Sequence, residues 1–268
     1  MHPVAFYLGS VPIYWYGIMI ALAFLVGVWT AGRRGLRDGL APERISDLAV
    51  WILVGALIGA RTMHVVEYWE EFRGRPIWEI FMIRNGGLVF YGGFIGAAVA
   101  AIVFIRWKRL PLFKMADALA PSIALGSAFG RVGCLMTGCC FGRVCTLPWA
   151  IHFPTGSLAW EEQQREHLIG PGDATLPVHP TQIYDLLANL LLYGLLAWWY
   201  RRKKFDGQIF AIWLVGYAVL RSLVEIFRGD YGEHQFGVFT PAQLVGVAIL
   251  AAGIALLVWL PRATAKRG

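Results

Sequence analysis

The sequence predicts an all-α membrane protein of seven transmembrane helices, with its N-terminus outside (periplasmic) and its C-terminus cytoplasmic. Three observations carry this reading. Hydrophobic residues make up 57% of the 268 and charged residues only 15%, against roughly 25% charged in soluble domains. A soluble chain this apolar would expose large sticky patches, so a bilayer is the better solvent. Several stretches reach the ~20 apolar residues that a span needs, and basic clusters fall at alternate ends of them.

The spans are expected at about 13–31, 48–67, 88–106, 115–134, 181–200, 207–227 and 241–260. The fourth is the weakest, because it holds Asp117, Pro121 and Arg131. The N-terminus has no basic start and no small-residue cleavage site, so the first run is read as a permanent helix and not a signal peptide. Arg33, Arg34 and Arg37 follow the first span, Arg106, Lys108, Arg109 and Lys114 the third, Arg201 to Lys204 the fifth, and Arg262, Lys266 and Arg267 the seventh. With seven spans all four clusters share one side, which is the positive-inside pattern. The net charge of +7 is therefore a topology signal, and no nucleic-acid partner is expected. The opposite loops (68–87, 135–180 and 228–240) are richer in acids, among them Glu70, Glu71, Glu161, Glu162, Asp230 and Glu233. Loop 135–180 is the longest connection and reads as a folded periplasmic arm or cap between helices four and five. The whole chain, 1–268, reads as one transmembrane catalytic domain.

Arg61, Arg131 and Arg221 lie inside apolar spans. Each costs several kcal/mol in hydrocarbon unless paired or wetted, so each is a functional candidate. Counted from Asp47, Asp117 and Gly207, each lies about 14 residues, or ~21 Å, along a helix that runs outward. In a ~30 Å core that is the outer half. The inward helices begin at the same level with Tyr16, Tyr91, His179, Gln182, Tyr184 and Asp185, and the seventh with Thr240, Pro241 and Gln243. Glu225 stands four residues after Arg221 on the same helix face, with Arg228 a turn further. Arg131 has no such neighbour, so its partner must come from another helix or a ligand. A planar guanidinium donates two hydrogen bonds to adjacent oxygens, which suits the phosphate of a lipid headgroup.

Two segments stand out locally. Gly86 to Gly96 opens the third helix, where Gly92 and Gly93 permit close approach of another helix or of a ligand. Gly130-Arg131-Val132-Gly133-Cys134 and the following Gly138-Cys139-Cys140-Phe141-Gly142 put an arginine between glycines at a helix end. The four cysteines, Cys134, Cys139, Cys140 and Cys145, have C-x4-C-C-x4-C spacing. Structural zinc sites more usually use C-x2-C pairs, so no metal is expected. A Cys134–Cys139 or Cys140–Cys145 disulfide and buried free thiols both fit the spacing.

Taken in order, Trp15-Tyr16-Gly17, Gly59-Ala60-Arg61, the Gly87–Gly96 segment, Gly130-Arg131-Val132-Gly133 with Gly138 and Gly142, His179-Pro180-Thr181-Gln182-Ile183-Tyr184 and Arg221-Ser222-Leu223-Val224-Glu225 resemble the bacterial prolipoprotein diacylglyceryl transferase family over nearly the whole chain. The resemblance implies transfer of diacylglycerol from phosphatidylglycerol to the lipobox cysteine of a preprolipoprotein signal peptide. Glycerol phosphate is released and no cofactor is needed. It implies Arg131 and Arg221 as phosphate ligands with Tyr91 and Glu225 in the catalytic set. Tyr16, Arg61, Gly92, Gly93, Gly130, Gly133, His179, Gln182, Tyr184 and Arg228 would contact substrate. The chain departs from the family signature, which often has Asn and Glu where Cys134 and Cys139 stand and in some members His where Tyr91 stands. Two other classes fit parts of the pattern: a membrane thiol oxidoreductase built on the cysteines, and a lipid or anion transporter built on the arginines.

Overall fold

The computed structural model describes residues 2–82, 86–229 and 241–265. Thr240, Asp230, Glu233, Lys266 and Arg267 lie outside the described residues. The chain divides into two compact units, one of Gly32–Met115 and one of Met1–Ala31 with Ala116–Gly268.

The chain opens with an antiparallel hairpin, β1 (Val4–Leu8) and β2 (Val11–Tyr14), turned by Gly9 at φ +63. The first helix therefore starts at Trp15 and not at residue 13, since Val11–Tyr14 pairs as a strand. Nine α-helices follow among the described residues: α1 (Trp15–Arg37), α2 (Pro42–Glu67), α3 (Trp69–Phe72), α4 (Phe90–Trp107), α5 (Leu112–Thr137), α6 (Leu158–Arg165), α7 (Thr181–Tyr200), α8 (Gln208–Glu225) and α9 (Pro241–Ala265). Apolar helices stand at all seven expected span positions. Six of them, α1, α2, α5, α7, α8 and α9, are long and apolar enough to cross a membrane, while the apolar run of α4 is shorter. Their surfaces carry lipid-type side chains: Leu25, Ile58, Phe94, Leu191 and Val247 are each more than 60% exposed, which a bilayer tolerates and water does not.

The polar interruptions of the fourth expected span have structural explanations. Asp117 is fully buried, and its carboxylate accepts from the backbone N–H of Gly207 and Phe210 and from Lys203 Nζ. It thereby caps the start of α8 from another helix, satisfying donors that no intrahelical carbonyl can reach. Pro121 lies inside α5, and beside it Ser122 Oγ donates to Gly27 O at 2.8 Å and pairs with Thr30 Oγ1. That bond ties α5 to α1. Below the cap, Ala120 and Ala124 of α5 pack with Leu192, Leu196 and Tyr200 of α7 and Ile209 of α8.

In the unit of Gly32–Met115, α2 and α4 pack backbone to backbone. A Cβ on Gly59 would lie 2.3 Å from Gly92 O, and one on Gly96 2.2 Å from Gly55 O. Only glycine permits that approach.

The equal offset of the three arginines does not extend to the helix starts. α2 begins at Pro42 and α5 at Leu112, both before the assumed edges Asp47 and Asp117, whereas α8 begins at Gln208, next to Gly207. A helix runs past the membrane edge wherever its backbone can continue, so its first residue does not mark depth.

Candidate functional site

The segment after α5 folds into a platform. Gly138 (φ +79) and Cys140 (φ +60) reverse the chain at the end of the helix. Residues 141–151 then pair with 177–179 and with 227–229. Gly142 N–H donates to His179 O, His179 N–H to Arg143 O, Arg143 N–H to Phe227 O and Gly229 N–H to Phe141 O. Gly142 is required here, since a Cβ would lie 2.5 Å from His179 Cβ. Phe141, Phe153, Ala159 and Val178 form a small core that joins α6 to this platform. Ser157 Oγ caps α6, and buried Gln163 holds the backbone of Leu176 at both its N–H and its carbonyl. Loop 135–180 is thus a folded segment, as its length and composition predict.

The start of α7 is fastened to the same turn. Thr181 Oγ1 donates to Cys140 O and Gln182 Nε2 to Cys139 O, both at 2.7 Å. Gln182 is buried, and its Oε1 has no hydrogen-bond partner among the described residues. Such an orphaned acceptor costs about 1–3 kcal/mol unless a ligand or water meets it. Tyr184 Oη accepts from Trp149 Nε1 at 2.7 Å and lies 3.2 Å from His179 Nδ1, while Phe227 packs on both rings.

Arg131 takes its partner from another helix. Its Nε lies 2.8 Å from Asp185 Oδ2 of α7, and Asp185 Oδ1 accepts from Asn189 Nδ2 at 2.8 Å. Binding through Nε leaves the two terminal amino groups of the guanidinium for another acceptor. Arg131 is largely but not wholly buried, at 21% side-chain exposure. A Cβ on the adjacent Gly130 would meet nothing within 4 Å. Arg221 and Glu225 form a buried ion pair within α8. Arg228 follows on the platform, its backbone carbonyl accepting from Arg143 Nε.

Arg131, Arg228, Tyr16 and three thiols share one electrostatic neighbourhood. Gly133 lets Tyr16 in: a Cβ there would lie 2.9 Å from the tyrosine ring. Cys134 sits in the last turn of α5, and the reversal brings Cys139 and Cys140 back to it. The three sulfurs lie within 4.8 Å of one another. Two left-handed residues, Gly138 and Cys140, bring them this close despite the C-x4-C-C spacing. All four cysteines are thiols, so neither disulfide is formed. Hydrogen bonds with the Cys134 and Cys139 thiols hold the Cys140 thiol below its ordinary value, and the charges of Arg228 and Arg131 add to this.

The other unit holds the remaining candidates. Arg61 is committed to its own loop: Nε donates to Ile80 O at 2.6 Å, Nη2 to Glu79 O at 2.7 Å, and Nη1 to Gly86 O and Gly87 O. Its guanidinium also lies over the Phe72 ring. Four of its five N–H groups are thus used in anchoring the loop. Gly92 and Gly93 are likewise taken up by packing against α2. Tyr91 stands exposed in the first turn of α4.

The sequence reading names Asp185 only for its depth and does not single out Asn189. Their signal is an i,i+4 polar pair inside an otherwise apolar span.

Residues 3–259 match the family model described as prolipoprotein diacylglyceryl transferase. Similar proteins are named phosphatidylglycerol–prolipoprotein diacylglyceryl transferase. That of Finegoldia magna is 35% identical over 257 residues, covering 96% of this chain and 94% of the relative. That of Synechococcus elongatus is 34% identical, covering 96% and 87%, and that of Vibrio vulnificus YJ016 33%, covering 96% and 90%. With a match from end to end, the chain belongs to the prolipoprotein diacylglyceryl transferase family.

Proposed function

We propose that this chain transfers the diacylglyceryl group of phosphatidylglycerol to the lipobox cysteine of preprolipoproteins, in the bacterial inner membrane. The thiol sulfur bonds to the glycerol carbon. The bond from that carbon to the phosphate oxygen breaks, glycerol phosphate leaves with the electron pair, and the thiol gives up its proton. The leaving group gains charge as the bond breaks, so fixed guanidinium donors lower the barrier. Arg131 is the principal phosphate ligand. The observation that carries this is the Nε–Asp185 contact, which orients the arginine and leaves its terminal amino groups for phosphate oxygens. Arg221 is the second phosphate ligand, positioned by Glu225. Tyr16 and Arg228 flank the phosphate, and Gln182 Oε1 accepts from a glycerol hydroxyl. Supporting that last role is its unmet acceptor at the start of α7. His179 and Tyr184 hold the platform in place for the peptide.

The whole chain acts as one transmembrane domain of seven spans, α4 included. The N-terminus and the 138–180 arm are periplasmic and the C-terminus is cytoplasmic, in line with the basic clusters.

The test uses the purified chain with phosphatidylglycerol and a lipobox peptide. A thioether-linked diacylglycerol on the peptide, with glycerol phosphate released in equal amount, is the expected result. It separates the transferase from a lipid transporter and from a thiol oxidoreductase. Near-normal transfer by both Arg131→Ala and Arg221→Ala, in chains that still fold, would overturn the assignment of the arginines.

A further inference from the structure

The transfer chemistry makes no use of the sulfur cluster at the end of α5. We propose that Cys134, Cys139 and Cys140 form a trithiolate site for a soft divalent cation, Zn2+ in the first instance. Four observations support it. All three sulfurs lie within 4.8 Å of one another, and none is joined to another in a disulfide. Tetrahedral Zn2+ with Zn–S bonds of ~2.3 Å places sulfurs about 3.8 Å apart, so an adjustment of about an ångström closes the site. Cys139 and Cys140 line an open cavity of about 400 Å3 whose wall also carries Glu161, Glu162 and Arg165, so the two sulfurs can be reached from outside. Finally, three thiolates around a dication carry one net negative charge, and Arg131 and Arg228 both lie near enough to offset it.

Binding releases three protons, one from each thiol, and leaves the fourth coordination position open to water. The metal would fasten the last turn of α5 to the carbonyls that anchor Thr181 and Gln182 of α7. The site adjoins the arginines assigned to the phosphate, so its test reads the metal directly and not the transfer.

The full chain is purified in detergent, reduced with a phosphine and titrated with Co2+ without oxygen. Thiolate-to-cobalt charge-transfer absorption should grow to saturation at one ion per chain and vanish on adding Zn2+. Cys145→Ser should leave this unchanged, while Cys139→Ser and Cys140→Ser should each weaken binding at least tenfold. Labelling of the unaltered chain covers the case of a variant that fails to fold: Zn2+ should shield Cys134, Cys139 and Cys140 from N-ethylmaleimide and leave Cys145 reactive. Absence of the absorption band, labelling that Zn2+ does not alter, or a Cys134–Cys139 disulfide whose reduced form takes up no cation would each overturn the site.

Discussion

Three arginines in apolar spans look alike in the sequence, yet their surroundings give them different work. Arg61 spends its donors on the carbonyls of its own loop, Arg221 sits against Glu225 one turn away, and Arg131 turns only Nε toward Asp185. The Arg221–Glu225 pair is legible because i and i+4 share a helix face. The other two are not, because their partners are a loop carbonyl set and a side chain from a distant helix. Two predictions separate these roles. Arg131→Lys keeps the charge but loses the planar fork, so transfer should fall by roughly 10²-fold or more, measured by thioether formation in a chain whose Tm is little changed. Arg61→Lys should do the reverse. Losing most of four hydrogen bonds at about 1 kcal/mol each lowers Tm clearly, while KM for phosphatidylglycerol stays near the parent value. A collapse of transfer in a stable Arg61→Lys chain would return that residue to the substrate site. Asp185→Asn should raise KM for phosphatidylglycerol and lower kcat together, since it loosens the orientation of Arg131 without removing it.

At the scale of elements, the apolar spans were legible to within a few residues because hydropathy and length suffice. The hairpin of β1 and β2 was not, since its short strands merge with the first apolar run. The glycine segment at the start of α4 reads equally as ligand contact or as packing, and its meaning depends on what lies opposite. Gly55 and Gly59 lie opposite, which decides for packing. The arrangement predicts that Gly59→Val forces α2 and α4 apart, with a loss of a few kcal/mol seen as a lower Tm in detergent. Gly130→Ala, at a helix position with open space, should leave Tm near the parent value. Asp117→Ala should also destabilise, by roughly 3 kcal/mol. It leaves Lys203 without its buried partner and two N–H groups at the start of α8 uncapped.

For the molecule as a whole, the topology turns on α4. Its apolar run, Tyr91–Trp107, is ~25 Å long at 1.5 Å per residue, short of a ~30 Å core. Two features extend it. Trp107 and Lys108 form a cation–π pair at its end, which suits an interface where an amphipathic ring meets a snorkelling ammonium. Gly86–Val89 precede it as irregular backbone, with Gly86 and Gly87 in the left-handed region, fastened to α2 by Arg61 and by the Val89 N–H on Ala60 O, so the chain need not be helical to continue at that level. If α4 did not cross, Arg106, Lys108, Arg109 and Lys114 would fall on the side opposite Arg33, Arg34 and Arg37, and the charge asymmetry would vanish. Seven spans should therefore place an alkaline phosphatase reporter fused after Gly172 outside, where it is active. Fusions after Arg109 and after Lys204 should stay inactive in the cytoplasm. An active reporter after Arg109 would remove α4 from the spanning set and reverse every later helix.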